Sequence, residues 1–140
     1  MKTVIESIRD FFDKCEVLNP GARLSVNYLG LEVPEYAIYT DPANPIVKRY
    51  VDGGALKQKV FTLVSRNYLD SDYILQLENI GFFERLISWI EDKNKNRDLP
   101  ILSDNRHSIK IEIISDGFLI SADNQKSQYQ MQMKLIYTED

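Results

Sequence analysis

The sequence is poor in the side chains that most often carry chemistry, with one cysteine and one histidine in 140 residues. A single cysteine, Cys15, excludes a disulfide within the chain and any metal site built from several cysteines. We expect Cys15 to be a small core or surface thiol and His107, in the loop sequence SDNRHS, to be a solvated polar residue. The sequence leaves a spatial pairing of the two residues open. We therefore predict that the protein is not an enzyme and has no catalytic, metal-binding or cofactor-binding residues.

Long apolar runs and an excess of positive charge are also missing. No segment approaches the roughly 18 apolar residues of a membrane span, and the start MKTVIESIRDFF has no signal-peptide core. Lysine and arginine number 17 against 21 aspartate and glutamate residues, which gives a net charge of −4. We therefore expect a cytoplasmic protein without membrane contact or tight nucleic-acid binding, although DNA could pass through a channel built from such subunits.

Two segments have the spacing of amphipathic helices, with apolar residues three and four positions apart. The first covers residues 3–14 and the second covers residues 72–96, where Gly81 marks a break or a close-packing point. The apolar stripe of the second helix consists of Ile74, Leu77, Ile80, Phe83, Leu86, Ile87 and Ile90.

The remaining segments alternate between apolar and polar residues, which predicts strands. In chain order they read LSVNYLG, EYAIYT, IVKRYV, ALKQKVFTLVSRNYL, SIKIEII, FLISA and QYQMQMKLIY. Asp52-Gly53-Gly54 predicts the turn of a hairpin over residues 46–69, because glycine accepts positive φ, and Asp116-Gly117 predicts a second turn. Helices among mainly antiparallel strands predict a single α+β domain over residues 1–140, with both helices on one face of the sheet.

The last strand separates its side chains most clearly into two sets. One set consists of Tyr129, Met131, Met133, Leu135 and Tyr137, and the other consists of Gln128, Gln130, Gln132 and Lys134. The apolar set is expected to face the core. The polar set faces either water, as one side of an antiparallel sheet often does, or another copy of the molecule.

Several segments together resemble a known family of phage proteins. They are Phe82-Phe83-x-x-Leu86-x-x-Trp89-Ile90, Leu99-Pro100 and Tyr129-Gln130-Met131-Gln132-Met133-x-Leu135-x-Tyr137. The resemblance spans most of the chain, including the amino-terminal helix and the strand VFTLVSRNYLDSD. This pattern is similar to the minor capsid proteins of long-tailed phages and prophages of Gram-positive bacteria, of the lambdoid tail terminator (tail completion) type. The resemblance implies a small α+β subunit that forms a ring, commonly a hexamer. Such a ring caps the tail tube, docks the head connector and lets DNA pass through its central hole.

The resemblance also implies a place in the virion, at the head–tail junction, after assembly in the cytoplasm of the host bacterium. On this interpretation Gln128, Gln130, Gln132 and Lys134 contact a neighbouring subunit or line the lumen. Two alternatives stay open. One is a non-catalytic module that binds a peptide or small ligand through its sheet edge. The other is a small hydrolase that uses His107 with a carboxylate in a concave polar pocket.

Overall fold

The computed structural model describes residues 2–18, 23–29, 35–68, 73–122 and 126–140. Its elements are, in chain order, α1 (Val4–Asp13), β1 (Arg23–Val26), β2 (Glu35–Thr40), β3 (Ile46–Arg49), β4 (Ala55–Tyr68), α2 (Tyr73–Asn96), β5 (Arg106–Ile113), β6 (Phe118–Ala122) and β7 (Lys126–Glu139). The strands form one sheet in the order β1-β2-β4-β7-β5, with β3 beside β4 and β6 beside β7. β1 pairs with β2 in parallel, and the other pairs are antiparallel. The predicted α+β fold is confirmed.

Both helices lie where the apolar spacing predicts them. α1 begins after Thr3, whose hydroxyl accepts a hydrogen bond from the backbone N–H of Glu6 at 3.2 Å, as a helix cap does. α2 runs through Gly81 without a break. Phe83, Leu86 and Ile90 are buried and Ile87 is partly buried, as the predicted stripe requires. The side chains of Ile74, Leu77 and Ile80 lie outside the described residues. In the described part of the chain, no helix is both long and apolar enough to cross a membrane.

The core lies between the helices and one face of the sheet. Phe12 of α1 contacts Phe61 of β4 and Trp89 of α2, with ring centroids 5.9 and 5.8 Å apart. Phe83 of α2 lies 5.8 Å from Tyr129 of β7. Because Phe61 and Tyr129 point to the same side of the sheet, both helices pack on that side, as predicted. This side is the inner face, and the opposite side is the outer face.

The middle of the sheet is a ribbon of two long strands. β4 and β7 pair along all 14 residues of each strand. β2 and β3 follow one another along the free side of β4, separated by residues 41–45, and β5 and β6 do the same along β7, separated by residues 114–117. Pro42 and Pro45 suit the first interruption, because proline has no N–H to give to a strand ladder.

The predicted hairpin turn is confirmed, but the hairpin is shorter than the predicted range of residues 46–69. β3 pairs only with residues 55–57, residues 61–66 of β4 pair with β2 instead, and residue 69 lies outside the described residues. Arg49 lies opposite Ala55, and Gly53 in the turn has φ of +97°. The prediction of a chain-reversing turn at Asp116-Gly117 is wrong. β5 and β6 both run antiparallel to β7, so the chain keeps its direction through this segment. Glycine is needed at position 117 for a steric reason. A Cβ there would lie 2.1 Å from Cγ of Phe83 and would collide with the ring.

On the side of β5 that does not pair with β7, the backbone is hydrogen-bonded by a side chain of α2. The amide of Asn94 donates to the backbone C=O of Ile111 at 2.8 Å and accepts from its N–H at 2.9 Å. Asn94 thus takes the place that a further strand would occupy at this residue. Covering the edge in this way protects the sheet from unwanted pairing with another chain.

Candidate functional site: the polar outer face of the sheet

The structure confirms the two-sided pattern of the last strand. The five apolar residues of β7 that were predicted to face the core are all buried: Tyr129, Met131, Met133, Leu135 and Tyr137. Gln128, Gln130, Gln132 and Lys134 lie on the outer face and are half-buried. The polar residues are therefore not fully exposed to water, because neighbouring strands and loops shield part of each side chain.

The three glutamines line a shallow concavity of about 540 Å³ on the outer face. It is open to solvent and mainly polar, and its other lining residues are Tyr39, Asp41, Thr62, Val64 and Ser115. The strand register explains the grouping, since Tyr39 lies opposite Thr62 and Thr62 lies opposite Gln132. Lys134 lies outside this concavity, although it is on the same face. The structure therefore brings together three of the four predicted contact residues.

Gln132 connects the two strand interruptions. Its side-chain amide donates to Oδ2 of Asp41 at 3.0 Å, and Thr62 Oγ1 donates to the same oxygen at 2.6 Å. On the other side, the backbone N–H of Gln132 donates to Ser115 Oγ at 3.2 Å. The C=O of Gln132 accepts from the N–H groups of Ile114 and Ser115 at 2.8 and 3.1 Å. Gln132 is thus hydrogen-bonded within its own subunit, and its first role is to hold the outer face together.

Gln128 and Gln130 differ from Gln132 in this respect. Their side chains make no hydrogen bond to any other residue that the structure describes. Each amide carries both donor and acceptor groups, and in the concavity these groups are only partly open to water. A polar partner that enters the concavity would find amides that are not bonded to another described residue and are already positioned by the strand.

Lys134 belongs to a separate charged cluster on the outer face. Its ammonium lies 3.3 Å from one carboxylate oxygen of Glu112, and Lys110 lies 2.8 Å from the other oxygen. The hydrogen bond from Lys110, together with that from Lys134, lowers the pKa of Glu112. Part of the charge of Lys134 is therefore neutralised within the chain, which makes it a weaker candidate for binding a partner than the glutamines.

The structure places Cys15 and His107 in separate surroundings. Cys15 is buried after α1, and burial raises the pKa of its thiol. His107 is exposed on β5, opposite Thr138 of β7. The charged groups that act on the thiol are Glu16 and Lys93, and His107 is not one of them. Among the described residues, no group of histidine, cysteine, aspartate and glutamate side chains is suited to hold a metal ion.

The glutamines are predictable from the sequence, but the residues that complete the concavity are not. Asp41 and Ser115 lie outside the predicted strands, where alternation gives no orientation. The alternation along β4 does place Thr62 and Val64 on one face. The alternation does not place Thr62 and Val64 beside the glutamines, because the residue pattern of one strand does not show which strand pairs with it.

Comparison of the sequence with models of known protein families and with characterised proteins gave no match. The resemblance to tail terminators therefore stays a prediction from the sequence segments quoted above.

Proposed function

We propose that the chain is a structural subunit of a phage or prophage, a tail terminator or head–tail joining protein. In this role copies of the chain form a ring, with six subunits as the resemblance implies. The ring caps the tail tube, and the head connector docks on it. The chain's partners are then itself, the tail tube protein and the connector protein, and DNA only passes through the lumen.

The observation that carries this proposal is the outer face of the sheet. Both helices pack on the inner face, so the long β4–β7 ribbon presents a broad surface that no described helix covers. Among the described residues, the lining of its concavity includes three glutamine amides and the carboxylate of Asp41 but no lysine or arginine. Amides bind a protein partner through hydrogen bonds in either direction, and they do not attract DNA phosphates as a basic surface would. Such a surface suits a subunit contact or the wall of a lumen.

The decisive experiment is assembly on the tail. Purified protein is mixed with tail tubes of a long-tailed phage of a Gram-positive host and is examined by electron microscopy. Light scattering coupled to size exclusion gives the mass of the free protein. We expect a ring at one tube tip and no further growth of capped tubes. Bare tube tips at saturating protein would refute the proposal.

Gln128 and Gln130, whose side chains make no hydrogen bond to another described residue, provide the sharpest variant. We expect Gln128→Glu with Gln130→Glu to weaken ring formation, because the negative charges of neighbouring subunits would repel one another and the amide donors would be lost. Gln132 is left unchanged, since a carboxylate there would lie beside Asp41 and would disturb the fold itself. The measurement is the ring-to-monomer ratio in light scattering, at matched protein concentration.

The matched control is Ser88→Glu with Asn96→Glu, which adds the same charge at two exposed positions of α2. Thermal unfolding of each variant shows whether the subunit itself stays folded. An equal ring-to-monomer ratio for the wild type and the glutamine variant would exclude the outer face as the contact surface.

A binding module that captures a peptide through its sheet edge is the alternative. Asn94 blocks the edge of β5 at Ile111, which leaves the edges of β1, β3 and β6 for a peptide strand. At β1 the guanidinium of Arg9 already donates to the backbone C=O of Leu24 at 3.4 Å. β1 has only four residues, which limits the number of backbone hydrogen bonds that a peptide gains there. Three results would favour this alternative. The protein stays monomeric, it does not bind to tube tips, and the amides of β1 become protected from hydrogen exchange when a peptide is added.

A further inference from the structure

The tip of the β3–β4 hairpin presents an aliphatic side chain to solvent. Val51 is fully exposed, and Tyr50 beside it is 41% exposed. The tip is nevertheless held by hydrogen bonds, since the N–H of Tyr50 donates to the C=O of Gly54 at 2.8 Å and the N–H of Gly53 donates to the C=O of Tyr50 at 3.1 Å. An ordered turn with an exposed valine at its end costs little entropy when it docks on a partner.

A pocket of about 140 Å³ lies between α1, α2 and the segment that follows α2. Its apolar lining consists of Phe11, Trp89, Leu99, Pro100 and Ile101. The rings of Phe11 and Trp89 are 5.0 Å apart, and Ile101 at the rim is 83% exposed. An apolar cavity of about 150 Å³ holds one benzene molecule, so this pocket has the size of a single small side chain.

The pocket also contains polar groups without a partner among the described residues. Ser7 lines the pocket and is 2% exposed, and its hydroxyl makes no hydrogen bond to another described residue. Two lysines of the pocket form ion pairs, Lys2 with Asp10 and Lys93 with Asp98. The third, Lys14, has no acidic partner among the described residues. An occupant that suits the pocket is therefore a small apolar side chain next to a carboxylate, with a backbone group near Ser7.

The hairpin tip has these properties in adjacent residues. Val51 supplies the small apolar side chain, and Asp52 supplies a carboxylate with no lysine or arginine partner in the described part of the chain. The backbone N–H and C=O of Val51 make no hydrogen bond to the described residues. Each group that lacks a partner in the pocket thus has a counterpart at the tip.

We propose that the hairpin tip of one copy docks into the Phe11–Trp89 pocket of a second copy, with Val51 inside the pocket and Asp52 beside Lys14. The contact joins two different surfaces, one from each copy, so it is head-to-tail. Repeated contacts of this kind close into a ring if the rotation from one copy to the next is a whole-number fraction of a full turn. The inference rests on the proposed function in one respect only, namely that the chain assembles with itself.

The first test is Val51→Ser. Because Val51 is fully exposed, this change leaves the isolated subunit as stable as before. We expect association to weaken about tenfold per contact, since a buried valine is replaced by a polar side chain. Ile109→Ser is the matched control, because Ile109 is also an exposed aliphatic residue but lies on β5, away from tip and pocket. Association constants come from light scattering over a range of protein concentrations.

The second test exchanges the charges across the contact. Asp52→Lys and Lys14→Glu should each weaken association, and the double variant should recover most of the loss, because the ion pair re-forms with opposite polarity. Circular dichroism of each variant shows that the fold is intact. If the double variant loses as much association free energy as the two single variants together, the pairing of Asp52 with Lys14 is overturned.

The outcomes separate this inference from the proposed function. A wild type that assembles and caps tubes, with Val51→Ser equal to the wild type, would overturn the docking contact alone. Val51-dependent assembly without capping of tubes would support the contact and overturn the role in the tail. A wild type that is monomeric at all concentrations and on tube tips would overturn both.

Discussion

Replacing Asn94 by alanine removes the two hydrogen bonds that close the edge of β5. Both bonds are short, 2.8 and 2.9 Å, and they satisfy the backbone of Ile111, a residue that is 3% exposed. A hydrogen bond contributes about 1 kcal/mol net, and a buried group left unpaired costs about 1–3 kcal/mol. We therefore expect Asn94→Ala to lower the free energy of unfolding by about 2–4 kcal/mol.

Urea unfolding measures this loss. With a slope of about 2 kcal/mol per molar urea, in the middle of the range for small domains, the unfolding midpoint should fall by about 1–2 M. Hydrogen exchange adds a local readout, because the amide of Ile111 should lose its protection before the amides of the β4–β7 ribbon do. The free edge should also increase self-association at high protein concentration, since an uncovered strand pairs readily with another chain.

Asn96→Ala is the matched control, because Asn96 is an exposed asparagine two residues further along α2. Its effect should stay within about 0.5 kcal/mol, as for most exposed positions. The reasoning is refuted if Asn94→Ala unfolds at the same urea concentration as the wild type and the Ile111 amide remains protected.

Two further predictions concern packing and charge. Gly117→Ala should destabilise the protein by about 1–3 kcal/mol in urea unfolding, because the added Cβ would collide with the ring of Phe83. The hydrogen bond from Lys110 lowers the pKa of Glu112. Its carboxylate therefore stabilises the fold above the ordinary pKa, and this contribution is lost as pH falls through the lowered pKa of the folded state. Glu112→Gln should accordingly reduce the difference in stability between neutral and acidic pH.

Controls for these two changes are available in the chain. Gly81→Ala places its Cβ near only the flexible end of Arg85, so inside α2 it should raise stability by about 0.5–1 kcal/mol. A Gly117→Ala protein that gains stability as well would show that Phe83 moves aside without cost.

Glu84→Gln is the control for the pH dependence of stability, because Glu84 is an exposed acid of α2 outside any ion pair of the described residues. If Glu84→Gln and Glu112→Gln change the pH dependence equally, the Lys110 contact has no special role.

The sequence alone determined the elements and the faces of this protein. The three-and-four spacing of apolar residues located α1 and α2, and the alternation in β7 separated Met131 and Met133 from the glutamines. Asp52-Gly53-Gly54 located the hairpin turn, because the positive φ found at Gly53 is cheap for glycine. These features are local, since each depends on the geometry of a helix, a strand or a turn of a few residues.

Only the tertiary structure decided which segments meet. Asp41 accepts a hydrogen bond from Gln132 across 91 positions of sequence. β4 pairs with β2 and β3 on one side, but its other side pairs with β7, the last strand of the chain. Asp116-Gly117 has the residues of a hairpin turn, yet the chain continues past it because β5 and β6 both pair with β7. The alternation of apolar and polar residues determines the face to which each side chain points. The choice of partner strand and its register depend instead on burying the apolar residues of all strands on the inner face together. The concavity of the outer face is a product of that long-range pairing.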